Sequence, residues 1–314
     1  MIKIDETNFP DVYFRMYLYG QDYGRHGVIM DEDIPKITYL SVSDDIKSLK
    51  GIEHFTALTT LFCEDNQLTT LDVSKNVALR VLDCSNNLLT ELDLTKNTAL
   101  DDLNCSNNRL TALNVSKNTV LRELDCSNNL LTKLDVTKNT TLDFFYCSSN
   151  QLSALDISKN TGLRELECDN NCLTRLDVTK NMMLNDIDCS NNQLTELITK
   201  DIWLTCLDCS DNQLAILDVS QNAILFWLCC RNNLLTTLDV SQNPRINHIV
   251  CDHNQIKGMS MDMFINSLPP KKTKEKCKLW VCSKTEYNET NVCTPEQIVA
   301  IKAKNWEICY CTNG

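Results

Sequence analysis

Ten cysteines recur at a fixed spacing through the middle of the chain. Successive members lie 21 residues apart, except for one step of 20 residues between Cys189 and Cys209. One short unit cannot bury its own apolar side chains, so a unit repeated this often must stack on its neighbours, which predicts a solenoid. The ten are Cys63, Cys84, Cys105, Cys126, Cys147, Cys168, Cys189, Cys209, Cys230 and Cys251.

Each cysteine lies within the pattern L-x-x-L-x-C-x-x-N-x-L-x-x-L, of which residues 79–92 are a clean copy. Side chains alternate along a strand, so Leu82 and Cys84 are predicted to point into the core and Asp83 outward. Stacked cysteines would run parallel to one another rather than meet, so we expect buried thiols that act as small apolar groups. No histidine recurs with the repeat, which argues against a ladder of metal sites.

An asparagine follows each ladder cysteine by three residues, where the chain leaves the strand. We expect its amide to satisfy backbone groups at this bend, a structural role. The ten asparagines are Asn66, Asn87, Asn108, Asn129, Asn150, Asn171, Asn192, Asn212, Asn233 and Asn254.

The pattern predicts an α/β-type solenoid of the leucine-rich-repeat class. This fold is a right-handed superhelix with short parallel strands on its concave face. We expect an N-terminal helical cap over residues 1–36, the repeats over 37–260 and a strand–helix–strand cap over 261–314. Val42 and Val281 are predicted to take the ladder position of the first and last coils. The N-terminal cap also contains a degenerate EF-hand-like loop, in which Asp22 and Asp33 are weak candidates for calcium ligands.

The net charge of −12 argues against nucleic-acid binding, and no apolar run is long enough to span a membrane. The first residues lack the pattern of a signal peptide, which fits either a cytosolic protein or one whose leader is absent from this sequence. Because the carboxylates recur with the repeat, we expect no enzyme, no cofactor and no metal. One alternative stays open, an enzyme or metal site where His248 and His253 share a coil with Asp252.

The outward strand positions are predicted to form the binding surface. Nine of these twenty positions are acidic, and none is Lys or Arg. Aromatic residues interrupt the acidic series, and exposed aromatics are typical of interface hot spots. The alternative is a solvated acidic face without a ligand. The predicted contact patch comprises Phe144, Tyr146, Glu165, Glu167, Asp186, Asp188 and Trp227.

Eight cysteines lie outside the ladder. Cys172, Cys206 and Cys229 are predicted to be exposed. The other five are in the C-terminal tail, where a disulfide is plausible but its pairing cannot be read from the sequence. These five are Cys277, Cys282, Cys293, Cys309 and Cys311.

The repeat, together with its flanks at residues 8–11, 48–53 and 291–294, resembles the cysteine-ladder repeats of internalin-type bacterial surface proteins. It is also similar to repeat proteins secreted by gut Bacteroidetes and Firmicutes. The resemblance implies an extracellular or surface-attached binding module, of a kind that often faces host tissue. We expect a monomer that binds a protein or glycan ligand, which the host could supply. The alternative is an intracellular scaffold for protein interactions.

Overall fold

The computed structural model describes residues 1–43, 45–272, 277–282 and 289–310. The chain divides into two compact units, Met1–Asn160 and Thr161–Gly314. Each unit is a stack of coils, and each regular coil contributes one strand of three residues to a parallel sheet. The predicted solenoid with short parallel strands is therefore confirmed.

The first unit begins with an antiparallel pair of short strands on either side of a helix. Its parallel sheet then runs from β3 to β8 in chain order. Two short 3₁₀ helices, Ile34–Lys36 and Ile52–His54, precede and follow β3. The other elements are β1 (Ile2–Lys3), α1 (Val12–Gly20), β2 (Val28–Ile29), β3 (Tyr39–Ser41), β4 (Thr60–Phe62), β5 (Val81–Asp83), β6 (Asp102–Asn104), β7 (Glu123–Asp125) and β8 (Phe144–Tyr146).

The second unit continues the same coil pattern and ends in two helices and two longer strands. Its elements are β9 (Glu165–Glu167), β10 (Arg175–Asp177), β11 (Asp186–Asp188), β12 (Glu196–Ile198), β13 (Cys206–Asp208), β14 (Trp227–Cys229), β15 (His248–Val250), α2 (Met259–Ser267), β16 (Cys277–Trp280), α3 (Pro295–Ala303) and β17 (Trp306–Cys309). The main parallel sheet has the order β9-β11-β13-β14-β15-β16-β17, and β10 and β12 form a separate parallel pair.

The core of each unit is a column of leucines and ladder cysteines. Leu82 and Cys84 are fully buried, whereas Asp83 between them is half-buried, as the alternation of side chains predicts. All ten ladder cysteines are buried thiols, which confirms the prediction made from their parallel stacking. Burial also raises the pKa of thiols such as those of Cys84 and Cys126 well above its ordinary value, so these thiols remain protonated and unreactive.

The asparagines that follow the ladder cysteines bond the coils together, as predicted. The Asn87 side-chain nitrogen donates to the carbonyl oxygens of Cys63 at 2.9 Å, Cys84 at 3.2 Å and Ser85 at 3.0 Å. Its oxygen accepts from the backbone nitrogen of Leu68 at 2.9 Å. One buried amide therefore satisfies four backbone groups from two adjacent coils.

A second column of buried asparagines lies on the other side of each coil. The Asn97 side-chain nitrogen donates to the carbonyl oxygens of Val73 at 3.0 Å and Asn76 at 2.9 Å. The last residue of the recurring D-V-S-K-N segment supplies this asparagine. The column therefore ties the turn of each coil to the turn before it, a role that the sequence analysis did not assign.

Asn291 closes the last regular coil. Its side-chain nitrogen donates to the carbonyl oxygens of Cys251 and Val281, both at 2.8 Å. Its oxygen accepts from the backbone nitrogen of Ile256 at 2.8 Å. These bonds repeat those of the ladder asparagines, and Val281 is fully buried next to Cys251 in the column.

Two helices follow the regular coils, and the sequence analysis anticipated only the second. The helix α2 buries Met261, Phe264 and Ile265 on one face. The helix α3 begins with a capping box, in which Thr294 and Gln297 each accept a hydrogen bond from the other's backbone nitrogen.

Candidate binding surface

The outward side chains of the parallel strands form a continuous face on each unit. We call this surface the strand face. It is formed by the outward residues of the strands in the main parallel sheet of each unit, which are half-buried in most of these strands. Parallel pairing aligns these residues across neighbouring strands, so side chains from separate coils stand side by side.

In the first unit the acidic residues of the strand face lie on three consecutive strands, β5, β6 and β7. Asp102 on β6 pairs in register with Glu123 on β7, which places two carboxylates on neighbouring strands. Burial, followed by Glu123, raises the pKa of Asp102 to about 6. The side-chain nitrogen of Asn104 donates to Asp83 at 3.2 Å. The acidic series therefore includes a group whose charge depends on pH close to neutrality.

Phe144 and Tyr146 end this series on β8. Phe144 aligns with Glu123, and Tyr146 aligns with Asp125. Both aromatic side chains are half-buried, so part of each ring remains accessible beside a carboxylate. The first unit therefore offers apolar and acidic surface next to each other.

In the second unit, five carboxylates align on three consecutive strands. Burial and the charge of Glu165 raise the pKa of Asp186, and burial raises the pKa of Asp188. Crowded carboxylates of this kind are stabilised by an approaching cation. We call this group the acidic row; it comprises Glu165, Glu167, Asp186, Asp188 and Asp208.

Aromatic side chains gather further along the same sheet. Phe226 and His248 have ring centroids 6.2 Å apart, and His248 stacks on Trp280 at 6.5 Å with 28° between the rings. The ammonium group of Lys278 lies 5.9 Å from the Trp280 ring centroid. Trp227 aligns in register with His248. We call Phe226, Trp227, His248 and Trp280 the aromatic row.

The acidic row ends on β13, which carries Asp208, and the aromatic row begins at the neighbouring strand β14. Cys206 on β13 aligns with Asp186 on one side and with Trp227 on the other. Four predicted patch residues, Glu165, Glu167, Asp186 and Asp188, are thus neighbours, and Trp227 lies two strands beyond Asp186. Phe144 and Tyr146 belong to the first unit, and their membership of one patch with the others stays a prediction.

Sequence reasoning missed His248 and Trp280 as members of the aromatic row. The signal was present, because the segment Leu279-Trp280-Val281 has the spacing of a regular strand and ladder position. Continuing the series of outward residues by one more coil would have included Trp280. His248 was in that series, but the sequence did not indicate that its ring stacks on an aromatic ring from the next coil.

The expected exposure of the three cysteines outside the ladder holds for only two of them. Cys172 and Cys206 are partly exposed, whereas Cys229 is 8% exposed. The prediction for Cys229 is wrong because its short side chain is covered by its neighbours, and burial raises its pKa to about 12. In the tail, Cys277, Cys282, Cys293 and Cys309 are thiols, and Cys311 lies outside the described residues.

The two candidate calcium ligands each face a basic side chain. Asp22 forms an ion pair with Arg25 at 2.5 Å, and Asp33 pairs with Lys36 at 3.0 Å. Within the same segment, Val28 and Ile29 form β2, which pairs with β1. Calcium binding by this loop stays a prediction.

Among the residues that the structure describes, no helix has the length and apolar character needed to cross a membrane.

Comparison with solved structures identifies proteins of the same fold. The functional domain of InlJ from Listeria monocytogenes, which includes a cysteine ladder, is 33% identical over 91% of this chain and 68% of that one, with a TM-score of 0.68. A leucine-rich-repeat protein from Leptospira interrogans is 22% identical over 91% of this chain and 75% of that one, with a TM-score of 0.69. The internalin InlF from Listeria monocytogenes is 20% identical over 82% and 93%, with a TM-score of 0.60. No family model and no curated protein matches the chain.

Proposed function

Because the chain belongs to the internalin-type leucine-rich-repeat proteins that carry a cysteine ladder, we propose that it is a binding module for a protein ligand. The leucine-rich-repeat fold is a protein-interaction fold, which supports a non-catalytic role. The ligand docks on the strand face, and the acidic and aromatic rows of the second unit form the main contacts. The module works as a monomer without a cofactor.

The alignment of the two rows on one sheet is the observation that carries this proposal. The carboxylates of Asp186 and Asp188 are crowded by their neighbours, and a basic side chain of the ligand would relieve that repulsion. Trp227 and Trp280 supply large, partly accessible rings, which commonly anchor protein interfaces. The ligand surface is therefore expected to combine basic residues with apolar ones.

A capture experiment tests the proposal. The immobilised wild-type protein and the double variant Trp227→Ala/Trp280→Ala would be exposed to epithelial lysate, mucus and bacterial lysate, and the retained proteins would be identified by mass spectrometry. We expect a ligand that the double variant captures at least tenfold less, since loss of two aromatic anchors removes several kcal/mol from an interface.

The matched control is Trp203→Ala. Trp203 is 62% exposed and lies outside the strands of the strand face, so its removal should leave capture unchanged. All variants must melt at the wild-type temperature. If the double variant captures as much ligand as wild type, the ligand does not bind to the strand face and the proposal is wrong. If the double variant does lose the ligand, single variants assign the loss to Trp227 or to Trp280.

A glycan is a second candidate ligand, and one observation favours it. The near-parallel rings of His248 and Trp280 offer a flat apolar surface, on which the apolar face of a sugar ring can stack. Binding of the wild-type protein to a glycan array, lost in Trp280→Ala, would support this candidate. An array without signal leaves the protein ligand as the function.

We further propose that the protein acts at the cell surface or in secreted form, on the basis of its similarity to InlJ. The alternative is an intracellular scaffold. The coding sequence upstream of Met1 discriminates between them: a leader there supports surface exposure, and a gene that starts at Met1 supports the scaffold.

A further inference from the structure

The last regular coil is the one regular coil with a histidine two residues after its ladder cysteine. His253 has a left-handed backbone, with φ of 54°, at the position that Asn191 and Asn232 occupy in earlier coils of the same unit. Asp252 precedes it, where Ser190 stands in one of those coils. The coil therefore combines a carboxylate and an imidazole at these two positions, a combination that no other regular coil has.

A third ionisable group comes from beyond β16. The Nδ1 atom of His253 lies 2.9 Å from Oδ2 of Asp252 and 3.7 Å from Oε2 of Glu289. One nitrogen or oxygen from each of the three residues lies within 4.8 Å of the other two. The side chains are only 1%, 11% and 7% exposed for Asp252, His253 and Glu289. Three potential metal ligands thus converge at a nearly enclosed point.

The backbone holds this cluster in place. The Glu289 carboxylate accepts hydrogen bonds from the backbone nitrogens of His253, at 3.1 Å, and Asn291, at 2.8 Å. Asn291 is itself fixed by its bonds to the carbonyl oxygens of Cys251 and Val281. Hydrogen bonds that orient the ligands in this way are typical of metal centres.

We propose that Asp252, His253 and Glu289 bind a divalent transition metal, with zinc as the best match. Zinc takes imidazole nitrogen and carboxylate oxygen at about 2.0–2.2 Å, which separates neighbouring ligands of a tetrahedral ion by roughly 3.4 Å. The observed separations of 2.9 and 3.7 Å bracket that value. Calcium and magnesium prefer oxygen ligands throughout, so the imidazole argues against them. A water molecule completes the coordination.

To bind the ion through Nδ1, the neutral imidazole of His253 carries its single ring proton on Nε2, and the Nδ1 lone pair is donated to the metal. The Nε atom of Arg231 lies 3.4 Å from Asp252 Oδ2 and offsets part of the negative charge while the metal is absent. The bound ion joins the last coil to the segment that carries Glu289, so it should stabilise the C-terminal part of the second unit.

Calorimetric titration of the full chain with ZnCl₂, after removal of metal with EDTA, tests the site. We expect one ion per wild-type chain, and binding at least tenfold weaker in His253→Asn. Asparagine is the residue that earlier coils carry at this left-handed position, so this variant should fold. Glu289→Gln keeps an oxygen acceptor for the backbone nitrogens but loses the charge, and should also weaken binding. His248→Asn is the control and should bind as wild type.

The melting temperature provides an independent readout. Zinc should raise it in wild type and in His248→Asn, and leave it unchanged in His253→Asn. If the wild-type protein does not bind one zinc ion per chain, the cluster is only a set of hydrogen bonds that closes the coil. Equal binding by His253→Asn would place the metal elsewhere, for example on the thiols of Cys282 and Cys293. Either result overturns the proposal.

Discussion

Asp102 lies between acidic neighbours on the strand face of the first unit. Burial and then Glu123 raise its pKa from 3.8 to about 6, so the folded protein binds this proton more tightly than the unfolded chain does. Its charge therefore destabilises the fold above pH 6. This destabilisation disappears as the pH falls from about 6 to about 4, because the carboxylate becomes protonated in the folded protein first and then in the unfolded chain.

Asp102→Asn is accordingly expected to stabilise the protein at pH 7.5, by roughly 1 kcal/mol once solvent screening of a partly exposed group is considered. Urea denaturation at pH 7.5 and pH 4 measures the difference, which should vanish at the lower pH. Asp72→Asn is a control of opposite sign, since hydrogen bonds from Ser74 lower the pKa of Asp72. A gain for Asp102→Asn that persists at pH 4 would show that charge is not the cause.

At the scale of the coil, the ladder asparagine is the most connected side chain. The Asn129 amide bonds the carbonyl oxygens of Cys105, Cys126 and Ser127 and the backbone nitrogen of Leu110, at 2.9–3.2 Å. Asn129→Ala leaves these four groups without that partner, so we expect a loss of about 3 kcal/mol or more. Urea denaturation measures it. Lys133 is exposed in the same coil, and Lys133→Ala should keep its free energy of unfolding within about 0.5 kcal/mol of wild type. A similar loss of stability in both variants would contradict the structural role of the Asn129 amide.

The ladder cysteine can be tested with a substitution that the chain already contains. Val42 and Val281 fill the ladder position in coils at either end and are buried there. Cys126→Val should therefore change the free energy of unfolding by less than about 1 kcal/mol. Cys126→Ser places a hydroxyl in the apolar column and should cost about 1–3 kcal/mol. Equal stability of the two variants, measured by denaturation in urea, would mean that the thiols have a polar role.

The repeats were predictable because each coil presents the same pattern and the same period-two alternation. The closure was not, because Asn291 takes its place through tertiary bonds and lies outside the 21-residue spacing. The sequence analysis missed the helix α2, although Met261, Phe264, Ile265 and Leu268 follow helical spacing. A helix of only nine residues is easily taken for a loop between two coils. The acidic members of the candidate site followed from the repeat, whereas the stacking of His248 on Trp280 depends on side-chain orientation.

For the whole molecule, the dominant electrostatic fact is the net charge of −12, and the outward positions of β4 to β9, β11 and β13 to β15 carry no Lys or Arg. Binding of a basic ligand should therefore weaken as salt screens this charge. A fluorescent oligolysine peptide serves as the probe, and its affinity for the protein should fall at least tenfold between 50 mM and 500 mM NaCl. Over this range the Debye screening length shortens from roughly 14 Å to roughly 4 Å. An affinity that is unchanged by salt would show that the acidic surface does not attract basic partners.

The hydrogen bonds of the ladder asparagine have a consequence for how the number of repeats can change during evolution. Every regular coil presents its successor with the same carbonyl and amide groups, as the equivalent bonds of Asn87 and Asn129 show. A crossover between misaligned copies of the gene can therefore add or remove whole coils without leaving a backbone group unsatisfied. Lineages of such a protein are free to vary in length while the closing asparagine and the helices after it are kept, and the reach of the binding surface can evolve separately from the stability of its ends.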